Sequence, residues 1–206
     1  MMMLSRRSGL LFGVVLAVCA FVVPMASAAS WSAVGTTHQL TSTNLAFSQA
    51  IGGGLTTGIS CAATQFDSDV TTAAVLTITA GRFVNCRGTG IAAGCTLTGT
   101  GTRFPWTATA PTTTSIQIHN IHIDWRYETA PGGGTGSCNA LVHNTNSTWT
   151  GTLTGGVWDP SSIGANRRIT FVNASGLVSH SVIANGAPTL VNGTFFDPTG
   201  TLNLLD

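Results

Sequence analysis

From residue 29 onward the chain alternates apolar and polar residues almost everywhere, and no stretch carries a helical period of useful length. In Thr148-Trp149-Thr150-Gly151-Thr152-Leu153-Thr154 the threonines fall on one side of an extended strand, and Trp149 and Leu153 fall on the other. Leu76 and Ile78 alternate with Thr77 and Thr79 in the same way, and Phe104, Trp106 and Ala108 alternate with Pro105, Thr107 and Thr109. Pro105 cannot donate to a ladder, so that strand should start there or lie at an edge. Glycine-rich punctuation at 52–54, 88–94, 132–136 and 155–156 predicts turns or loops. The pattern predicts an all-β antiparallel domain of about 10–12 short strands, a sandwich or a barrel.

Residues 1–28 have a different texture. Arg6 and Arg7 precede an apolar run from Leu10 to Val23, and Ala26-Ser27-Ala28 supplies a small-residue cleavage site. That is the layout of a cleaved signal peptide, and the run is too short for a stable membrane span. Ser5-Arg6-Arg7 also resembles a twin-arginine signal, and Leu16-Ala17-Val18-Cys19 resembles a lipobox. The export route therefore stays open between general secretion, the twin-arginine path and lipidation at Cys19. Cleavage leaves residues 29–206 as one domain, secreted or held in the cell envelope, with enough chain for a full core.

There is no lysine. Without Arg6 and Arg7, six arginines face seven acidic residues, a formal charge of −1. Such a surface has no electrostatic footprint for nucleic acid or anionic lipid. A lipid-facing barrel also alternates, but it needs apolar bands and aromatic girdles where this chain offers threonine. Four cysteines remain after processing, which in an exported chain predicts two disulfides rather than a metal site. Cys86 and Cys95 flank a turn-rich stretch and should pair across a hairpin, leaving Cys61 with Cys138.

A faint echo at a 93-residue offset aligns Leu76-Thr77-Ile78 with Ile169-Thr170-Phe171 and Thr96-Leu97 with Thr189-Leu190. It suggests a duplication of about 61–128 and 138–206. No short period supports a parallel β-helix.

Chemistry concentrates in Ile116-Gln117-Ile118-His119-Asn120-Ile121-His122-Ile123-Asp124-Trp125-Arg126-Tyr127-Glu128. Apolar residues occupy even positions through Ile118 and odd positions from Ile121, so a β-bulge at His119-Asn120 is expected. The bulge brings Gln117, His119, His122, Asp124, Arg126 and Glu128 onto one face. His119, His122 and Asp124 could serve as a metal or acid–base site; the plainer reading is a solvated, charge-paired strand face.

Gly58-Ile59-Ser60-Cys61-Ala62 is one letter from a nucleophile elbow but lacks the strand-to-helix context. His180 is a lone histidine, and Asp67-Ser68-Asp69 reads as a turn with too few oxygens for calcium. Trp31 and Trp158 are the tryptophans expected to be free to stack on a sugar, since alternation turns Trp125 and Trp149 inward. Threonine rows 96–102 and 148–154 have the look of an ice-binding surface and equally of ordinary outward strand faces. Sequons at Asn146, Asn173 and Asn192 read as turns or strand ends. The expectation is a non-enzymatic structural or binding protein without metal or cofactor, its partner a cell-envelope or carbohydrate ligand. A secreted hydrolase at His119, His122 and Asp124 is the alternative.

Overall fold

The computed structural model describes residues 28–129, 138, 144–159, 167–181 and 184–205. The expected signal peptide, at 1–28, lies almost wholly outside them. Among the described residues twelve strands run in chain order: β1 Ser30–Trp31, β2 Thr37–Ser42, β3 Leu45–Ala50, β4 Thr56–Thr72, β5 Val75–Gly90 and β6 Cys95–Gly101. They continue as β7 Trp106–Thr112, β8 Ser115–Thr129, β9 Asn146–Trp158, β10 Arg168–Ser181, β11 Pro188–Phe196 and β12 Leu204–Leu205. Several are long, with 17 residues in β4 and 16 in β5.

Pairing closes the sheet on itself. β2 and β3 meet β4 in one unbroken register and both touch β11, so together they form a single stave interrupted at Thr43-Asn44. β6 and β7 share β5 and β8 as neighbours and form a second composite stave, with Pro105 just ahead of β7. With β4, β5, β8, β9, β10 and β11 these make an eight-staved antiparallel barrel in which sequence neighbours pair and the last stave returns to the first. A sandwich is thereby excluded.

Alternation decides which side faces in. Phe47, Phe66, Phe83, Trp106, Trp125, Trp149, Phe171 and Phe195 are buried in a continuous aromatic core. Phe66 stacks on Phe195 at 4.9 Å, and Trp125 lies 5.3 Å from Trp149. Eight strands enclose a lumen that side chains can fill. Here they leave a void of only about 20 Å³ among Leu45, Phe47, Phe66, Trp106 and Ile121. Room for about one water with no polar partner leaves a dry space. Large rings need facing glycines: a Cβ on Gly99 would strike the Trp125 ring, and one on Gly156 would strike Phe171. Gly155-Gly156, expected as a turn, therefore lies within β9. Among the described residues no helix is long and apolar enough to cross a membrane.

β1 and β12 pair across one barrel end, where Ala29 N donates to Ala110 O and Trp31 N to Ala73 O. Trp31, Leu202 and Leu204 are buried there. Near the other end lie the disulfides, and they correct the expected pairing: Cys61 joins Cys86, and Cys95 joins Cys138. The β4–β5 register sets Cys61 directly opposite Cys86, whereas Cys86 opposes Leu97 across the next hairpin. Buried Gln49 donates to Thr189 Oγ1 at 2.5 Å, and Ser147 meets Ser179 at 3.3 Å, which satisfies those four side chains.

The 93-residue offset matches the starts of β5 and β10 and of β6 and β11, although the two hairpins differ in register. Asn173 and Asn192 lie inside β10 and β11 and hydrogen-bond each other, so neither marks a turn or a strand end.

Candidate functional site

β8 carries the extra residue its sequence implies. Asn120 adopts a φ of 60°, and the β8–β9 register shifts between Ile118 and Ile121. Ile118, Ile121, Ile123, Trp125 and Tyr127 consequently point inward and are buried. Burial pushes the Tyr127 phenol up to about 12. His119, His122, Asp124, Arg126 and Glu128 lie on the outer face.

The outer residues join their neighbours in cross-strand rows, Thr100–Asp124–Thr148–His180 and Thr98–Arg126–Asn146. Asp124 accepts from Thr148 Oγ1 at 2.6 Å and from Thr102 Oγ1 at 3.0 Å. Thr102 Oγ1 also contacts His122 Nδ1 at 2.7 Å, and that nitrogen lies 3.8 Å from Asp124. Arg126 faces Glu128 at 3.4 Å, and Thr150 meets His180 at 3.1 Å. The two threonine rows are thus separated by an ionic row and do not form an uninterrupted threonine array. His119 bonds Thr109 at 2.8 Å, so the contacts join His122 to Asp124 and leave His119 apart.

Three shallow hollows run along this wall. The largest, about 910 Å³, opens where the β5–β6 register breaks between Arg82 and Cys86. Phe83, Leu97, Cys61 and Cys86 are among its apolar lining; Ser60, Asn85, Arg87 and Glu128 contribute polar groups. The second, about 440 Å³, shares Thr98 and Glu128 with it and extends past Asp124 and Thr148. The third, about 470 Å³, lies beside the bulge and is lined by Arg103, Asn120, His122, Thr150 and Thr152. The third follows the second beyond the His122–Asp124 contact, so the three lie in line as an interrupted trough.

Other expected residues lie elsewhere. Trp31 and Trp158 are both 2 % exposed and pack edge-to-face at 6.3 Å, which corrects their expected availability to a sugar. Ser60 is an exposed residue of β4. Asp67-Ser68-Asp69 lies within β4 rather than in a turn. Hydrogen bonding from Gln65 opposes partial burial there and, with Gln39 and nearby Arg82, holds the Asp67 carboxyl below its ordinary range. No three His, Cys, Asp or Glu side chains among the described residues gather as metal ligands.

One polar cluster escaped the sequence reading. Buried His38 lies between Thr36 Oγ1, 2.7 Å from Nε2, and Asp197, 3.5 Å from Nδ1. Hydroxyl, imidazole and carboxylate follow in the order of a nucleophilic triad, but Thr36 also donates to Ala33 O at 2.6 Å and the hollows lie elsewhere. The only cue in the sequence was a histidine in a strand-like stretch, 159 residues from its partner. No family model, curated protein or solved structure matches the chain.

Proposed function

We propose that the mature chain is an exported, non-enzymatic binding module that holds an extended, hydroxyl-rich polymer, a glycan of the cell envelope or extracellular space, against its outer wall. The observation carrying this reading is the succession of three hollows along β5, β6, β8 and β9, the first two sharing Thr98 and Glu128, beside a lumen already filled by aromatic rings. A filled lumen leaves the outside as the available recognition surface, and rigid strands present its polar groups pre-organised. Two disulfides suit an oxidising compartment, in keeping with the signal-like start.

Retention of residues 29–206 on immobilised polysaccharides tests the reading. The wild type is retained and the Asp124→Ala/Thr148→Ala double variant passes through, with near-ultraviolet circular dichroism unchanged. Failure of the folded wild type to bind any polysaccharide contradicts it. The contacts of Thr102 and His122 with Asp124 support the hydrolase as the rival; glycan cleavage abolished by His122→Ala would favour it over simple binding.

A further inference from the structure

We infer that the polymer is an acidic polysaccharide whose carboxylates seat on Arg87 and Arg103, at opposite ends of the trough; this rests on the binding-module reading. Arg87 is an exposed residue of β5 beside the Phe83 hollow, and Arg103 is exposed in the break between β6 and β7, beside the bulge. Among the described residues neither guanidinium makes a side-chain hydrogen bond or ion pair. The other arginines differ: Arg126 faces Glu128, Arg168 pairs with Asp159 at 2.7 Å, Arg167 donates to Leu202 O, and Arg82 lies close enough to lower the pKa of Asp67.

The acids on the trough floor are already engaged. Asp124 accepts two threonine hydroxyls and Glu128 faces Arg126, while the Arg103 hollow is lined by no carboxylate. Arg87, Arg103 and Arg126 outnumber Asp124 and Glu128 along the lining, and with Arg126 facing Glu128 the two remaining guanidinium groups sit at its two ends. A guanidinium receives a carboxylate through two parallel hydrogen bonds. Arg87 lies across from Thr96, and β6 from there to Gly101, two residues before Arg103, spans roughly 17 Å at strand rise. Only an extended ligand reaches both. Between them Thr98, Thr100 and Thr148 offer hydroxyl donors and acceptors that match sugar hydroxyls. Single exposed ion pairs contribute little, but two on one chain reinforce each other through effective concentration.

The test is calorimetry of residues 29–206 with an oligogalacturonate long enough to reach both arginines, its methyl ester, a neutral glucan and polyglutamate. The free acid should bind most tightly and weaken as salt rises. Arg87→Gln and Arg103→Gln should each weaken it roughly tenfold, the scale of a charged hydrogen bond, and Arg168→Gln should not. Equal binding of acid and ester, or preference for the glucan, overturns the charge assignment and leaves the binding module standing. Polyglutamate binding as tightly, with the same arginine dependence, overturns the choice of polysaccharide. Binding of no glycan overturns both.

Discussion

Nδ1 of His38 lies 3.5 Å from Oδ2 of Asp197, with both side chains fully buried. His38 belongs to the first stave and Asp197 directly follows the last, so the pair fastens the seam where the barrel closes. Asp197 also accepts from Thr199 N, Thr199 Oγ1, Thr201 N and Leu202 N at 2.6 to 3.0 Å. One carboxylate thereby organises the turn that returns the chain to β12.

Removing Asp197 should leave the backbone N–H groups of Thr199, Thr201 and Leu202 without their acceptor. Asp197→Ala is expected to lower unfolding free energy by about 1–3 kcal/mol, the scale for leaving buried donors unsatisfied. Denaturant midpoints at neutral pH check this.

The same carboxylate predicts an acid limit. Burial pushes Asp197 up, but hydrogen bonds from Thr199 and Leu202 and the nearby His38 outweigh it and hold the carboxyl below 3.8. A folded pKa below the unfolded one gives stability that is present above the unfolded value and lost as pH falls through the folded one. The Asp197 contribution should therefore disappear below about pH 3.8, and Asp197→Asn should show a shallower loss over that range. Urea titrations at stepped pH measure both slopes.

Peptide mapping without reduction should link Cys61 to Cys86 and Cys95 to Cys138. In the chain-entropy model, sequence separations of 25 and 43 correspond to about 3.5 and about 4 kcal/mol. Serine pairs replacing each bridge should lower stability on that order. A Cys86–Cys95 peptide would contradict the β4–β5 register.

Gly99 faces the Trp125 ring, so Gly99→Val should overpack the core and cost about 1–3 kcal/mol. Ile123→Asp, placing an unpaired charge inside, should prevent folding, while His119→Ala on the outer face should change stability by about 0.5 kcal/mol or less. Thermal melts rank the three.

Period-two alternation made the all-β fold and the inner and outer faces of β8 legible, including the bulge at Asn120. Closure was not legible, because it depends on β11 meeting β2 and β3 some 150 residues away. The disulfides were misread because Cys86 and Cys95 are near in sequence, yet Cys61 and Cys86 are symmetric about Ala73-Ala74, the turn between β4 and β5. Recognising that turn would have given the pair. Local pattern leaves Trp31 and Trp158 free for sugars because it says nothing of a terminal ribbon folding over the barrel mouth. The trough was partly legible: the β8 row is written in sequence, but the hollow over Phe83 arises from a register break between β5 and β6.

Amide chemical-shift mapping of ¹⁵N-labelled residues 29–206 with a bound soluble glycan tests the central claim most directly. Perturbations are predicted along Thr96–Arg103, His122–Glu128 and Asn146–Thr152, with the buried indole N–H signals of Trp125 and Trp149 unmoved. Large shifts of those two indoles, with the outer strands silent, would place the ligand inside the barrel and contradict a filled lumen with an outer binding wall.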